Sequence, residues 1–177
     1  MRFDATNAEC LVFTYKEGIL SAVAHDLQLR VGTFTCTLDD EAWHLDARFD
    51  ARSLRVVGVM RDGVLHPDEP GEADKRAIEQ TVVRDVLHAE RHPEVRFTST
   101  VATARGDELA IQGTLALHGE SGPITLTMRR HTAGWTGEGI VHQPDFGIRP
   151  YRAMLGTLRV RADVVVRITV PEPRRHD

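Results

Sequence analysis

Between Glu90 and Arg130 the chain alternates apolar and polar residues through three successive runs. Val95, Phe97, Ser99 and Val101 interleave with Arg96, Thr98 and Thr100. After Arg105-Gly106-Asp107, the residues Leu109, Ile111, Gly113, Leu115 and Leu117 resume the beat. After Gly119-Glu120-Ser121-Gly122-Pro123 come Ile124, Leu126 and Met128. Period two sends successive side chains to opposite faces, so each run has one apolar face and one wet face. Gly and Pro clusters at this spacing mark hairpins. The segment therefore reads as an antiparallel meander buried on one side.

The same beat runs through most of the chain. Cys10 to Tyr15 reads as a first strand, ended by Lys16-Glu17-Gly18. Ile19 to Asp26 is rich in small residues and leads into Leu27, Leu29 and Val31, which alternate with Gln28 and Arg30. After Gly32 the apolar side moves to Phe34, Cys36 and Leu38. A β-bulge at Gly32 would produce that one-residue change of phase. Trp43, Leu45, Ala47 and Phe49 alternate again, and Leu54 to Met60 is a further strand. Arg61 to Asp74, with its prolines, glycines and acids, reads as a loop. Trp135 to Val141 is a short strand, Pro144 to Ile148 a turn-like insertion, and Leu158 to Val170 the longest alternating run.

Only Lys75 to Glu90 changes period. Ile78, Val82 and Val86 lie at i, i+4 and i+8, with Val83 and Leu87 beside them. That is the apolar stripe of one helix, placed at about 72–91. The restriction on the residue before a proline stops it near His92-Pro93. Sequence-adjacent hairpins of about eight strands point to an all-β barrel or sandwich. The long last strand favours a closed or nearly closed antiparallel barrel, because closure removes exposed edges. One domain over 1–177 is expected, with a helical excursion at 71–92 and a flexible polar tail at 171–177.

Of the 177 residues, 41% are hydrophobic and 27% charged, which is ordinary for a soluble domain. The formal net charge of −4 argues against nucleic acid, which requires a basic face. No stretch approaches the ~18 apolar residues of a membrane span. The start, MRFDATNAECLVF, does not read as a signal peptide, so a cytoplasmic location is expected. Cys10 and Cys36 are read as free buried thiols, not as a disulfide framework.

HPEVRFTS, IQGTLALHG, GPITL, DFGI and a long final strand follow one another in an order and spacing that resemble the YceI-like family of lipocalin-like barrels. Upstream, KEGILSAVAHDLQLRVGTF is similar to that family's N-terminal His-containing strand, and the helix before His92-Pro93 matches the family's helix. The resemblance covers residues 8 to 170. It implies a barrel that binds a polyisoprenoid chain or an isoprenoid quinone, without catalysis or cofactor, and it leaves room for a homodimer. Two features depart from the pattern: the first residues do not read as the secretion signal that many members carry, and Gln143-Pro144 stand where a basic residue would precede Asp145-Phe146-Gly147.

An isoprenoid offers methyl-branched hydrocarbon and few polar handles, so it needs a dry tunnel. Candidate walls are Phe13, Val95, Phe97, Ile111, Leu115, Leu117, Leu126, Phe146, Ile148 and Leu158. The residues alone leave two readings, tunnel wall or filled core. Gly113 either leaves room for ligand or marks a barrel corner. His25 is assigned to a head group by the resemblance; the bland alternative has Asp26 capping a turn and His25 filling a polar corner. A hydrolase or metal-dependent enzyme built on His25, Asp26 and a further histidine is the competing function, and a filled-core interaction domain is a third.

His88 and His92 have the i, i+4 spacing of zinc helices, but no Glu adjoins the first and no third ligand is specified. A solvated helix end is expected, and His118 or His142 would join only if the fold gathered them. Ser121 in GESGP does not make a nucleophile elbow. Asp68, Glu69, Glu72 and Asp74 do not match a calcium loop.

Overall fold

Alternating residues become strands, and the computed structural model describes residues 1–17, 25–39, 44–153 and 158–172. In chain order these are β1 (Arg2–Asp4), β2 (Glu9–Thr14), β3 (Lys16–Glu17), β4 (Asp26–Val31), β5 (Phe34–Asp39) and β6 (His44–Asp50). A 3-10 turn at Ala51–Ser53 leads to β7 (Leu54–Arg61) and β8 (Val64–His66). The helix α1 (Glu72–Thr81) is followed by β9 (Glu94–Arg105), β10 (Glu108–Leu117), β11 (Glu120–His131) and β12 (Gly134–His142). A second 3-10 turn, Gln143–Phe146, precedes β13 (Arg152–Ala153), β14 (Leu158–Val160) and β15 (Asp163–Pro171).

Twelve strands form one sheet in the order β1-β5-β6-β9-β10-β11-β12-β15-β2-β4-β7-β8. β13, β14 and β3 form a small second sheet. The meander from β9 to β12 pairs as its turns dictate, with Leu115 opposite Phe97 on one side and Gly122 on the other. The main sheet curls, and its end strands β1 and β8 do not pair with each other among the described residues. At one corner its two arms meet: Gly32 N–H donates to Ser53 O at 3.0 Å and Asp50 N–H to Thr33 O at 3.0 Å.

That corner corrects the expected bulge at Gly32. The phase change there marks the passage from β4 to β5, strands that lie in different arms of the sheet. The register shifts fall instead at Gln28/Leu29 and Gln112/Gly113. The strand count also exceeds the expected eight. Ten of the twelve correspond to the alternating runs named from sequence, and the other two, β1 and β8, are each three residues long and too short to show a period. β8 lies inside the stretch read as a loop, where Asp62 and Gly63 have φ of 49° and 79°, the positive values of a tight hairpin turn. The run expected from Leu158 to Val170 is broken at Arg161-Ala162, where Arg161 N–H donates to Tyr15 O and Ala162 O accepts from Gln143 N–H. Trp43 and the segment from Gly18 to Ala24 lie outside the described residues, as does the tail beyond 172.

α1 opens on Glu72 and Asp74, acids that suit the positive end of the helix dipole. It then widens into a π turn at Val82–Val86, where Leu87 N–H donates to Val82 O at 2.9 Å. The helical path therefore ends short of the expected position 91. Glu79 fastens it to the sheet edge: its Oε1 accepts from Val56 N–H at 2.8 Å. The apolar stripe of Ile78, Val82 and Val86 packs against the core inside the curled sheet.

Candidate functional site

The inner face of the sheet encloses a cavity of about 1480 Å³, above the ~300–1,000 Å³ of ordinary small-molecule sites. Period two builds its wall. On β10 the odd residues Leu109, Ile111, Leu115 and Leu117 face in; on β11 and β15 the even ones do, from Ile124 to Met128 and from Val164 to Val170. Ile78, Val82 and Val86 of the helical segment supply one side. Along β12 the wall runs from Trp135 to Val141, six residue steps and hence ~20 Å at strand rise.

Of the residues singled out from sequence, His25, Val95, Phe97, Ile111, Leu115, Leu117, Leu126, Ile148 and Leu158 line this cavity. Phe13 and Phe146 do not. On β2 the inward positions are Cys10, Val12 and Thr14, so Phe13 points to the other face, where the Arg167 guanidinium lies 4.7 Å over its ring. CLVFT is apolar on both faces, so period alone assigns no inside. Phe146 is buried but packs under the β11 hairpin, with a Cβ at Gly122 falling 3.4 Å from its ring.

By sequence Gly113 leaves two readings open, room for ligand or a barrel corner. A Cβ there would stand 2.5 Å from Phe97 Cε2 and 2.5 Å from Thr98 O. The absent side chain makes room for the Phe97 ring, at the register shift between β9 and β10, and not for a ligand. On β12, Gly139 does the same for Leu126, whose Cδ2 would be 2.7 Å from a Cβ.

Most of the cavity's charged and aromatic polar groups fall in two places, with Thr14, Asp50, Thr81 and Gln143 set separately in the lining. Lys16, His25, Tyr151 and Arg159 gather where the small sheet meets β4: Val160 pairs with Lys16, Val160 N–H donates to Tyr151 O, and Lys16 N–H donates to Asp26 Oδ1 at 2.7 Å. At the β11–β12 turn, Arg130 pairs with Glu172 at 2.6 Å and lies 6.0 Å over Trp135. Gln143 is buried in the wall and its Nε2 donates to Arg161 O at 3.0 Å. Cys10 and Cys36 are free, and burial pushes both thiols up to about 12, so they are uncharged wall groups at neutral pH.

His25 and Asp26 are turned to different surroundings. His25 faces the exposed end of the cavity, while the Asp26 carboxylate is held by the Lys16 backbone. Successive residues of an extended chain diverge, which separates the two. The histidines correct another expectation. His88 and His92 lie beyond the helix, and their rings meet His118 with centroids 5.2 and 4.8 Å away. Sequence could not find this trio, because His118 joins only through tertiary packing. Among the described residues, no group of three His, Cys, Asp or Glu is arranged to hold a metal ion. No described helix is long and apolar enough to cross a membrane.

Residues 3–171 match the model of the YceI-like domain. The chain belongs to the YceI-like family. Protein YceI of Escherichia coli O157:H7 is 31% identical over 94 residues, 48% of this chain and 48% of that protein. UPF0312 protein plu2095 of Photorhabdus laumondii is 27% identical over 95 residues, with the same shares. The chain matches about half the length of these curated relatives.

Among solved structures, BcnA of Burkholderia cenocepacia superposes with a TM-score of 0.59 at 14% identity, over 94% of this chain and 97% of that one. The Campylobacter jejuni YceI protein gives 0.61 at 15%, over 84% and 85%. A polyisoprenoid binding domain from Saccharophagus degradans, implicated in plant cell wall breakdown, gives 0.51 at 13%, over 93% and 94%. At such identities the likeness is one of fold: a curled antiparallel sheet with one helix.

Proposed function

We propose that this YceI-like protein binds a long apolar lipid, a polyisoprenoid or an isoprenoid quinone, inside the curled sheet, and carries or sequesters it without transforming it. One observation carries the reading: the cavity of about 1480 Å³ is walled mainly by aliphatic side chains along the strands, with Lys16, His25, Tyr151 and Arg159 at one place and Arg130 with Glu172 at another. Burying ~400 Å² of hydrocarbon is worth ~10 kcal/mol at ~25 cal/mol per Å². Association costs ~4–15 kcal/mol in lost freedom. The hydrophobic gain thus falls within the range of the association cost and offsets most or all of it, and in this reading the polar groups set which end of the ligand enters first.

His25, with Lys16 and Tyr151 beside it, is the head-group site in this reading. The polyisoprenoid-binding description of the Saccharophagus degradans domain supports the ligand class. The test is native mass spectrometry of the gently purified protein, followed by organic extraction and identification of the released molecule. Mass in excess of the chain, carried by a prenyl lipid or quinone, is the expected result. A bare chain that takes up no added quinone refutes the proposal.

A further inference from the structure

His118 sits where three cavity-lining parts of the chain meet. It follows Leu117 at the end of β10. Its Nδ1 lies 3.1 Å from the Phe146 carbonyl of the 3-10 turn, and its Nε2 lies 2.9 Å from His88 Nδ1 in the turn after the helix. His92 packs against it and over Gly119. Two of the non-glycine residues at positive φ are His88 (45°) and His118 (55°). Such backbone is costly for ordinary residues and persists where surrounding contacts over-determine it.

The hydrogen bonds fix the tautomers. A carbonyl only accepts, so His118 Nδ1 carries the hydrogen and Nε2 the lone pair. His88 must then donate from Nδ1. One added proton can be shared between the two rings, since either ring can keep a lone pair. Two cannot, because both facing nitrogens would then be donors carrying like charge.

We propose that the His88–His118 bond, backed by His92, is a proton-sensitive latch that holds the helical side of the cavity against the β10–β11 rim and releases it when the pair takes up a second proton. This rests on the cavity being the ligand site. The groups facing the pair are few. His88 and His92 come from the turn after the helix, and Asp85, occupied by Arg84 at 2.7 Å, acts on His88. Glu120 acts on His118 from the hairpin, and the 3-10 turn presents only the Phe146 carbonyl, Asp145 acting on His142. Burial, and then the neighbouring rings His92 and His88, push His118 below the ordinary histidine range, against the opposing effects of the Phe146 carbonyl and Glu120. The latch is therefore closed at neutral pH. The unfolded ring takes its proton near 6.5, the folded one only at lower pH, so the contribution of this ring to stability falls as pH drops through that window.

Hydrogen exchange on the unliganded protein at pH 7.5 and 5.5, corrected for intrinsic rates, reads the latch directly. The expected result is a roughly tenfold loss of protection at amides 82–89 in the wild type. His88→Gln and His118→Gln, which present non-titrating amides, should lose that pH dependence. No change in the wild type, or an equal change in all three proteins, overturns the latch. Release of the neutral fluorophore N-phenyl-1-naphthylamine then tests the coupling. Faster release at pH 5.5 in the wild type alone supports it, and pH-independent release from a loosened helix overturns it. Failure of the fluorophore to bind counts against the cavity reading, while exchange still decides the latch.

Discussion

Gly113→Ala separates two meanings of a glycine on an apolar strand face. If the missing side chain leaves space, alanine fills it and lowers the conformational entropy of the unfolded chain, a gain of about 0.4–1 kcal/mol. The structure has the space taken: the new Cβ would meet Phe97 Cε2 and the Thr98 carbonyl at 2.5 Å each. The ring can swing, but Phe97 is 3% exposed and has little room, and the carbonyl belongs to the β9–β10 ladder. Overpacking of this kind costs about 1–3 kcal/mol. For a chain of this size each kcal/mol moves the melting temperature by about 2–4 °C, so the loss should be between about 2 and 12 °C. Calorimetry with urea titration measures both quantities. Phe97→Leu in the Gly113→Ala background removes the ring clash and leaves the carbonyl clash, so it should restore part of the loss relative to the sum of the single changes, a coupling a double-mutant cycle reads. Unchanged or raised stability in Gly113→Ala would refute the argument and return Gly113 to the cavity.

Leu115→Trp projects a larger ring into the cavity from mid-β10; it should weaken binding of N-phenyl-1-naphthylamine more than tenfold while costing less than the ~1–3 kcal/mol of overpacking in a filled core, and a large stability loss with binding intact would contradict it. Cys10 and Cys36, with thiols raised from 9.0 to about 12, should present about a thousandfold less thiolate than unperturbed groups at pH 8; Ellman's reagent should react slowly with the native protein and promptly after denaturation, and prompt native reaction would refute the assigned burial. His142 Nδ1–H donates to Asp163 Oδ1 at 2.6 Å, and this bond holds the imidazole above the ordinary histidine value. Its stabilising contribution is complete below about 6.5 and is lost as pH rises through the higher folded value. Proton NMR should find an elevated His142 midpoint that returns to the ordinary range in Asp163→Asn.

Period two carried most of the wall. Leu109 to Leu117, Ile124 to Met128 and Val164 to Val170 face inward as their alternation implies, because β10, β11 and β15 each have a polar face that only water accommodates. Phe13 was illegible for the complementary reason, since Leu11 and Phe13 are as apolar as Cys10 and Val12. The Gly32 phase change was visible, but its cause was not: a bulge and a passage between two arms of a sheet leave the same mark in sequence. His88, His92 and His118 were each visible singly. Their meeting depends on how the turn after the helix docks on the β10–β11 hairpin, and no spacing along the chain encodes that.

Whether the interior is hollow follows from the same distinction between local and global order. An eight-stranded barrel is just wide enough for its side chains to fill, and width grows with strand number. Alternation says which residues point inward, but not how many strands share the circumference. β1 and β8, at the two ends of the sheet, are too short to be read from period, and each adds to the twelve. Gly113 and Gly139 then fold Phe97 and Leu126 back over the backbone, so those two large side chains lie along the wall instead of across the lumen. The cavity is thus the joint result of a strand number that local sequence does not specify and of glycines whose partners lie on neighbouring strands.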